Sequence, residues 1–311
     1  LESGADAFQI KPADALELLA QLNVAERIIS LENRLQKNLR QLSDTHSRIK
    51  NDLQLAARIQ QSRLPQKAPK VGDVEFSWVF DACDEVAGDM FNFVRLDGRH
   101  YGVYILDVSG HGIPAALLSM SINRAMTDAR DGSSALLRQT PEGIQIATPA
   151  EVAAILNERF PMNLDVNQYF TFLYGILDSE EHTFTFTRAG HPAPIISRPD
   201  GIEELDVAIG PAIGILPTAH YEEETLHLNP GDRVVLYTDG VDETSNQQGE
   251  EFGVRRVMMT LEQNRGRNIK EDIQTLRQTV RSFSGGKPQT DDITIVGLGV
   301  QANGKEEKKK G

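Results

Sequence analysis

The residues best suited to chemistry in this chain are aspartates set at the edges of apolar runs. Gly88-Asp89 precedes the run Met90 to Leu96, and Asp107 closes Tyr101 to Asp107 before Ser109-Gly110-His111-Gly112. Asp239 closes Val234-Val235-Leu236-Tyr237-Thr238 before Gly240, and Asp291-Asp292 opens Ile293-Thr294-Ile295-Val296. A buried carboxylate without a partner is costly, so an aspartate against a core strand needs one. Any one of these sites is adequately read as turn chemistry, since Asp before Gly is common in loops. Four such sites with few neighbouring Lys or Arg point instead to a hard divalent cation, Mg2+ or Mn2+, which takes oxygen ligands. The adjacent glycines let backbone approach a metal or a phosphate closely. No His-rich or Cys-rich spacing is present, which argues against zinc.

The elements that must position these aspartates are legible from hydrophobic period and turn residues. Strands are expected at Val74 to Phe80, Tyr101 to Val108, Tyr169 to Leu177, Thr183 to Arg188, Arg233 to Thr238 and Ile293 to Leu298. Helices are expected at Ile113 to Asp128, Pro149 to Arg159, Gly253 to Asn264 and Ile269 to Phe283. The two kinds cluster rather than alternate strictly. That favours an α+β fold of two packed antiparallel sheets flanked by helices over a doubly wound parallel sheet. Asp131 to Thr148, rich in Gly, Ser, Thr and Gln, reads as a surface insertion.

Ahead of this globular part lies a polar segment without Gly or Pro until Pro65, which should stop a helix. Within it Leu35, Leu39, Leu42, His46, Ile49, Leu53 and Ala56 alternate steps of four and three, a heptad seam. The seam either joins two chains or packs on the chain's own globular part; a homodimer through this helix is the expectation. His46 reads as a seam residue rather than a metal ligand. The organisation expected is residues 1–24, a helical coiled-coil linker over 25–65, a globular domain over 66–303 and a solvated tail over 304–311.

The formal charge of -13 on 311 residues disfavours nucleic acid or an anionic membrane as partner, since both call for a basic face. An acidic protein still accepts an anionic substrate where bound metal ions reverse the local field. The single cysteine, Cys83, permits no intrachain disulfide and fits a reducing, cytoplasmic setting. No Cys-x5-Arg phosphate loop follows it, so it reads as an incidental thiol. No apolar run is long enough to span a bilayer. The chain opens at Leu1 in mid-pattern and is expected to be cut from a longer protein.

Five segments occur in order: Val86-Ala87-Gly88-Asp89-Met90-Phe91-Asn92, Leu106-Asp107-Val108-Ser109-Gly110-His111-Gly112, Thr187-Arg188-Ala189-Gly190-His191-Pro192-Ala193-Pro194, Leu236-Tyr237-Thr238-Asp239-Gly240-Val241-Asp242-Glu243 and Thr290-Asp291-Asp292-Ile293-Thr294. Together they resemble the SpoIIE/RsbU-type branch of the metal-dependent (PPM) protein phosphatases. Ala56-Ala57-Arg58-Ile59-Gln60 with Leu64-Pro65 resembles the helix that enters that domain, so the resemblance covers nearly all of residues 52 to 300. It implies an α-β-β-α sandwich holding two Mn2+ or Mg2+ ions and a phosphoserine/phosphothreonine protein phosphatase activity, by in-line attack of a hydroxide activated between the ions. It further implies that Asp107 bridges both ions, that the Val108 carbonyl ligates one, and that Asp239 and Asp291 hold the other, with Asp292 the alternative to Asp291. Asp107 and Asp239 would carry the catalysis, and Asp89 would act directly or through water. The first segment departs from the family's Gly-Gly-Asp-Phe-Tyr-Asp pattern: Asn92 loses a charge, which puts a further metal at that position in doubt. His111 could donate a proton to the leaving serine oxygen or hydrogen-bond its turn, and His191 reads as structural.

Gly4-Ala5-Asp6-Ala7-Phe8-Gln9-Ile10-Lys11-Pro12 resembles the last strand and Lys-Pro turn of a response-regulator receiver domain. This implies a phosphatase that is the output of a two-component protein, with a phosphorylated anti-anti-sigma (STAS) protein as the implied substrate. The competing reading is a pseudophosphatase, a binding module that keeps the fold and sequesters a signalling partner; the retained Asp107, Asp239 and Asp291 argue against it.

Overall fold

Alternating apolar residues put two faces on the central strands, and both faces are buried. In the computed structural model, which describes residues 15–127, 134–141, 143–162 and 168–302, Val234 and Leu236 point into one apolar core while Val235 and Tyr237 point into another. The period of two in strand side chains makes this division automatic once both faces are covered.

The strands in chain order are β1 (Val74–Asp81), β2 (Met90–Arg95), β3 (His100–Val108), β4 (Leu137–Thr140), β5 (Gly143–Ile146), β6 (Phe170–Asp178), β7 (Thr183–Ala189), β8 (Ile195–Ser197), β9 (Ile202–Glu204), β10 (Ile209–Gly210), β11 (Glu224–His227), β12 (Arg233–Tyr237) and β13 (Ile293–Val300). The helices are α1 (Ala15–Gln61), α2 (Ile113–Thr127), α3 (Pro149–Arg159), α4 (Gly253–Gln263) and α5 (Ile269–Phe283). One sheet runs β1-β13-β12-β8-β9 and the other β10-β7-β6-β3-β2, with β11 also on β7. Every pairing is antiparallel except the two-residue β10–β7 contact. Helices α4 and α5 cover the first sheet, and α2 and α3 cover the second. The expected α+β sandwich of two sheets flanked by helices is therefore present.

Local signals set the helix ends. Helix α3 starts at a capping box, in which Thr148 accepts from the Glu151 N–H and Glu151 accepts from the Thr148 N–H. Helix α5 starts behind Asn268, whose side chain accepts from the Glu271 N–H at 3.0 Å.

Two features add to the expectations. The stretch from 131 to 148 is not only a loop: among its described residues, β4 and β5 form a hairpin, with Leu137 opposite Ile146. Ala135 and Leu136 are buried beside it, which anchors the hairpin's base. Strands β8 to β11 also escaped the sequence reading, because two to four residues are too few to display a period.

The chain divides into two units, 1–54 and 55–311. In the first, the described residues form one continuous helix with no break at the expected boundary between 24 and 25. Leu35, Leu39, Leu42 and Ile49 of the seam are exposed along it. The receiver-like segment 4–12 and the tail 304–311 lie outside the described residues.

Candidate metal centre

Antiparallel pairing brings the four aspartate segments to one end of the sandwich. Met90 pairs with Leu106, so the start of β2 and the end of β3 lie together. Tyr237 pairs with Ile295, which does the same for the end of β12 and the start of β13. Asp89 and Asp107 thus come from one sheet, and Asp239, Asp291 and Asp292 from the other.

Two glycines make the junction possible. A Cβ on Gly240 would lie 1.9 Å from the Asp292 carbonyl oxygen, so no side chain fits there. A Cβ on Gly88 would lie 3.1 Å from the Val108 carbonyl oxygen and 3.4 Å from that of Gly110. Glycine lets these backbones close up where a larger residue would push the loops apart.

Asp292 holds the first loop from across the sandwich. Its Oδ2 accepts from the Gly88 N–H at 2.7 Å and the Asp89 N–H at 3.4 Å, and its Oδ1 from the Cys83 N–H at 2.8 Å. Asp291 is more exposed, and its Oδ1 accepts the neighbouring Asp292 N–H at 2.8 Å. Asp89 is buried, and its Oδ2 accepts from Thr238 Oγ1 at 2.8 Å and Thr294 Oγ1 at 2.6 Å. Gln60 braces the same loop: its Nε2 donates to the Ala87 carbonyl at 2.7 Å and its Oε1 accepts the Ala87 N–H at 3.0 Å.

The electrostatics are those of anions crowded together. Burial, then the charges of Asp239, Asp291 and Asp292, pushes Asp107 up to about 8. Burial, then Asp291 and Glu243, pushes Asp239 up to about 6. Asp89 is raised by burial and by Asp107 and Asp292, and Asp291 by burial and Asp292, with His111 offsetting the latter in part. No lysine or arginine among the described ion pairs meets these five carboxylates. Clustered oxygen donors that repel one another and lack a protein cation fit a divalent metal. The donor set is all oxygen, which suits Mg2+ or Mn2+.

The remaining candidates are placed as follows. His111 is exposed, with Nδ1 3.2 Å from Asp84 Oδ2, and lies close enough to influence Asp291. His191 is buried, bonds Thr171 Oγ1 through Nδ1 at 2.8 Å, and is pushed down to about 3 by burial and then by Arg188; it is a neutral structural group. Asn92 donates to the Arg63 carbonyl at 3.2 Å and to Asn123 Oδ1 at 3.4 Å, while its own Oδ1 accepts the Phe93 N–H at 2.8 Å. Its amide is thus committed to protein partners. Cys83 can bring its sulfur within 4.8 Å of carboxylate oxygens of Asp291 and Asp292, but burial and then Asp292 push the thiol up to about 12, far from a nucleophilic thiolate. The sequence reading passed over Thr238, Thr294 and Gln60. The threonines sit inside two of the motif segments, yet nothing local marks a hydroxyl that bonds a residue some 150 to 200 positions away.

The chain is 32% identical over 202 residues to phosphoserine phosphatase RsbU of Bacillus subtilis (strain 168), covering 65% of this chain and 56% of that protein. It is 30% identical over 194 residues to phosphoserine phosphatase RsbP of the same organism, covering 62% and 45%. The chain therefore spans about half the length of these curated relatives. The SiaA-PP2C domain of Pseudomonas aeruginosa shares the fold, with a TM-score of 0.68 at 24% identity over 81% of this chain and 97% of that one. Residues 97–301 match the family model described as Stage II sporulation protein E (SpoIIE), and the chain belongs to that family.

Proposed function

We propose that this chain is a metal-dependent phosphatase acting on phosphoserine or phosphothreonine in a protein. The observation that carries the reading is the convergence of Asp107, Asp239 and Asp291 from both sheets, with no lysine or arginine meeting them among the described ion pairs. The names of RsbU and RsbP as phosphoserine phosphatases support it.

In this reading Asp107, the Val108 carbonyl, Asp239 and Asp291 would hold Mn2+ or Mg2+, two ions in all. Such ions supply the positive charge and water activation that phosphate ester hydrolysis needs. The protein's part is to hold the donors in place. Asp292, with both oxygens on backbone N–H groups, fixes the Gly88-Asp89 loop, which leaves Asp291 as the ligand. Asp89 supports the centre from a buried position. Gly240 and Gly88 let the two loops meet. His111, exposed and 3.2 Å from Asp84, would either donate a proton to a leaving oxygen or bond its own turn.

The substrate class we propose is a phosphorylated STAS-type protein, and the regulatory input an upstream receiver domain. The exposed heptad seam of α1 supports pairing with a second copy of the chain, which analytical ultracentrifugation would show as a dimer that Leu39→Glu with Leu42→Glu abolishes. No described helix is long and apolar enough to cross a membrane.

The deciding experiment is Mn2+-dependent hydrolysis of p-nitrophenyl phosphate, with Asp239→Asn as control. Turnover that requires Mn2+ and vanishes in the variant is expected. Metal-independent turnover, or an unaffected variant, sinks the reading. For the receiver, a full-length protein equally active with and without a phosphoryl mimic would exclude that input.

A further inference from the structure

Asp89 is buried at 1% exposure, against 4% for Asp292, and its side chain accepts two hydroxyl bonds from the opposite sheet. Thr238 follows β12 and Thr294 lies in β13, and both are fully buried. The direction of the bonds is settled by the backbone. The Thr294 N–H donates to Thr238 Oγ1 at 3.1 Å, so the Thr238 hydroxyl proton is free to point at Asp89 Oδ2, 2.8 Å away. Thr294 Oγ1 donates to the same oxygen at 2.6 Å. A Thr238 N–H to Thr294 carbonyl bond of 3.1 Å ties the two threonines together. Two hydroxyls thus converge on one oxygen of a carboxylate whose loop is already held by Asp292.

We propose that Thr238 and Thr294 are positioning residues for Asp89: they pin Oδ2 and so present Oδ1 alone toward Asp107 and the metals. This rests on the metal reading above and goes beyond it in naming what orients Asp89. Groups that orient a metal's partners matter because a free carboxylate would rotate between one- and two-oxygen contacts, and a rotation of that kind changes the donor count. Valine at 294 keeps the shape of threonine while removing the donor, leaving Oδ2 buried with one bond fewer; valine at 238 does the same and also removes the acceptor of the Thr294 N–H.

The test is a double-mutant cycle read by calorimetric titration of the 311-residue chain with Mn2+, without substrate. Thr294→Val is expected to weaken Mn2+ binding by about 10- to 100-fold, the range for such supporting groups. Asp89→Asn should weaken it at least as much. The pair Thr294→Val with Asp89→Asn should bind no more weakly than Asp89→Asn alone, because the threonine would act only through that carboxylate. Thr294→Ser, which keeps the hydroxyl, should bind as the wild type does. Should Thr294→Val not fold, Thr238→Val enters the same cycle. Wild-type affinity in the valine variant, multiplied losses in the double variant, or weakened binding in Thr294→Ser would each overturn the proposal while leaving the metal reading intact. A wild-type chain that binds no Mn2+ would overturn both.

Discussion

Strand β12 carries a buried charge problem at each end, and the two ends solve it differently. At its start, Arg233 meets Asp272 of α5 at 2.8 Å, with the aspartate fully buried. Arg233 also donates to the Asn264 and Arg267 carbonyls and to Ser197 Oγ, so the cation is held by several bonds. Past its other end, Asp239 joins Asp107 and Asp291, and each raises the cost of ionising its neighbours. One end brings its own counter-charge, which offsets in part the burial that pushes Asp272 up to about 7. In the proposed reading the other end leaves that role to a bound metal. A folded protein tolerates the second arrangement only where it serves function, since unpaired buried charge is destabilising.

The comparison breaks most sharply in activity. Asp239→Asn is expected to lower Mn2+-dependent turnover by more than the roughly 100-fold reached by outer-sphere changes, while the metal-free variant melts no lower than the wild type. Steady-state kinetics and thermal melts check the two halves. At the other end the expectation reverses: Asp272→Ala leaves Arg233 buried with its carboxylate gone and should cost about 3 kcal/mol in urea unfolding, with Mn2+ affinity unchanged. Saturating Mn2+, at about 100 times its dissociation constant, should stabilise the wild type by about 2.7 kcal/mol and Asp107→Asn by much less. The smallest effect is in pH. The folded pKa values of Asp107 and Asp239 lie near 8 and 6, above the unfolded value of 3.8. The folded metal-free chain then holds more protons than the unfolded chain between about pH 4 and 8, so this contribution is favourable at low pH and is lost as pH rises through that window. The stability difference between wild type and Asp107→Asn, followed by urea titration, should widen against the wild type over those pH values and close when Mn2+ is added. A flat difference would mean the carboxylates do not repel one another as described.

The same contrast separates what was readable in the chain from what was not. The long strands were readable, since β1, β3, β6, β12 and β13 are runs of apolar residues bounded by turn chemistry, and their ends agree within a residue or two with the expectation. Helices α3 and α5 were readable from their helical pattern, and their bounds match the expectation. The hairpin β4–β5 was hidden inside a polar, Gly-containing stretch, because its pairing is a choice between two four-residue segments that neither makes alone. The Arg233–Asp272 pair was hidden too, being 39 residues apart in sequence and marked by no local pattern.

By itself the sequence determined the kinds of atoms at the centre and the elements carrying them: aspartates after or before strongly apolar strands, glycines beside them, no arginine or lysine within the motifs except Arg188, whose side chain instead pairs with Asp206. Only the tertiary structure decided which oxygens remain free. Asp291 and Asp292 are neighbours of one type, and nothing in their order distinguishes them. Folding brings the Cys83 and Gly88 N–H groups, more than 200 positions away, onto both oxygens of Asp292, and sends two threonine hydroxyls to one oxygen of Asp89. Hydrogen-bond capacity is finite and short-ranged, so which donor is left unspent is a property of proximity, and proximity belongs to the fold.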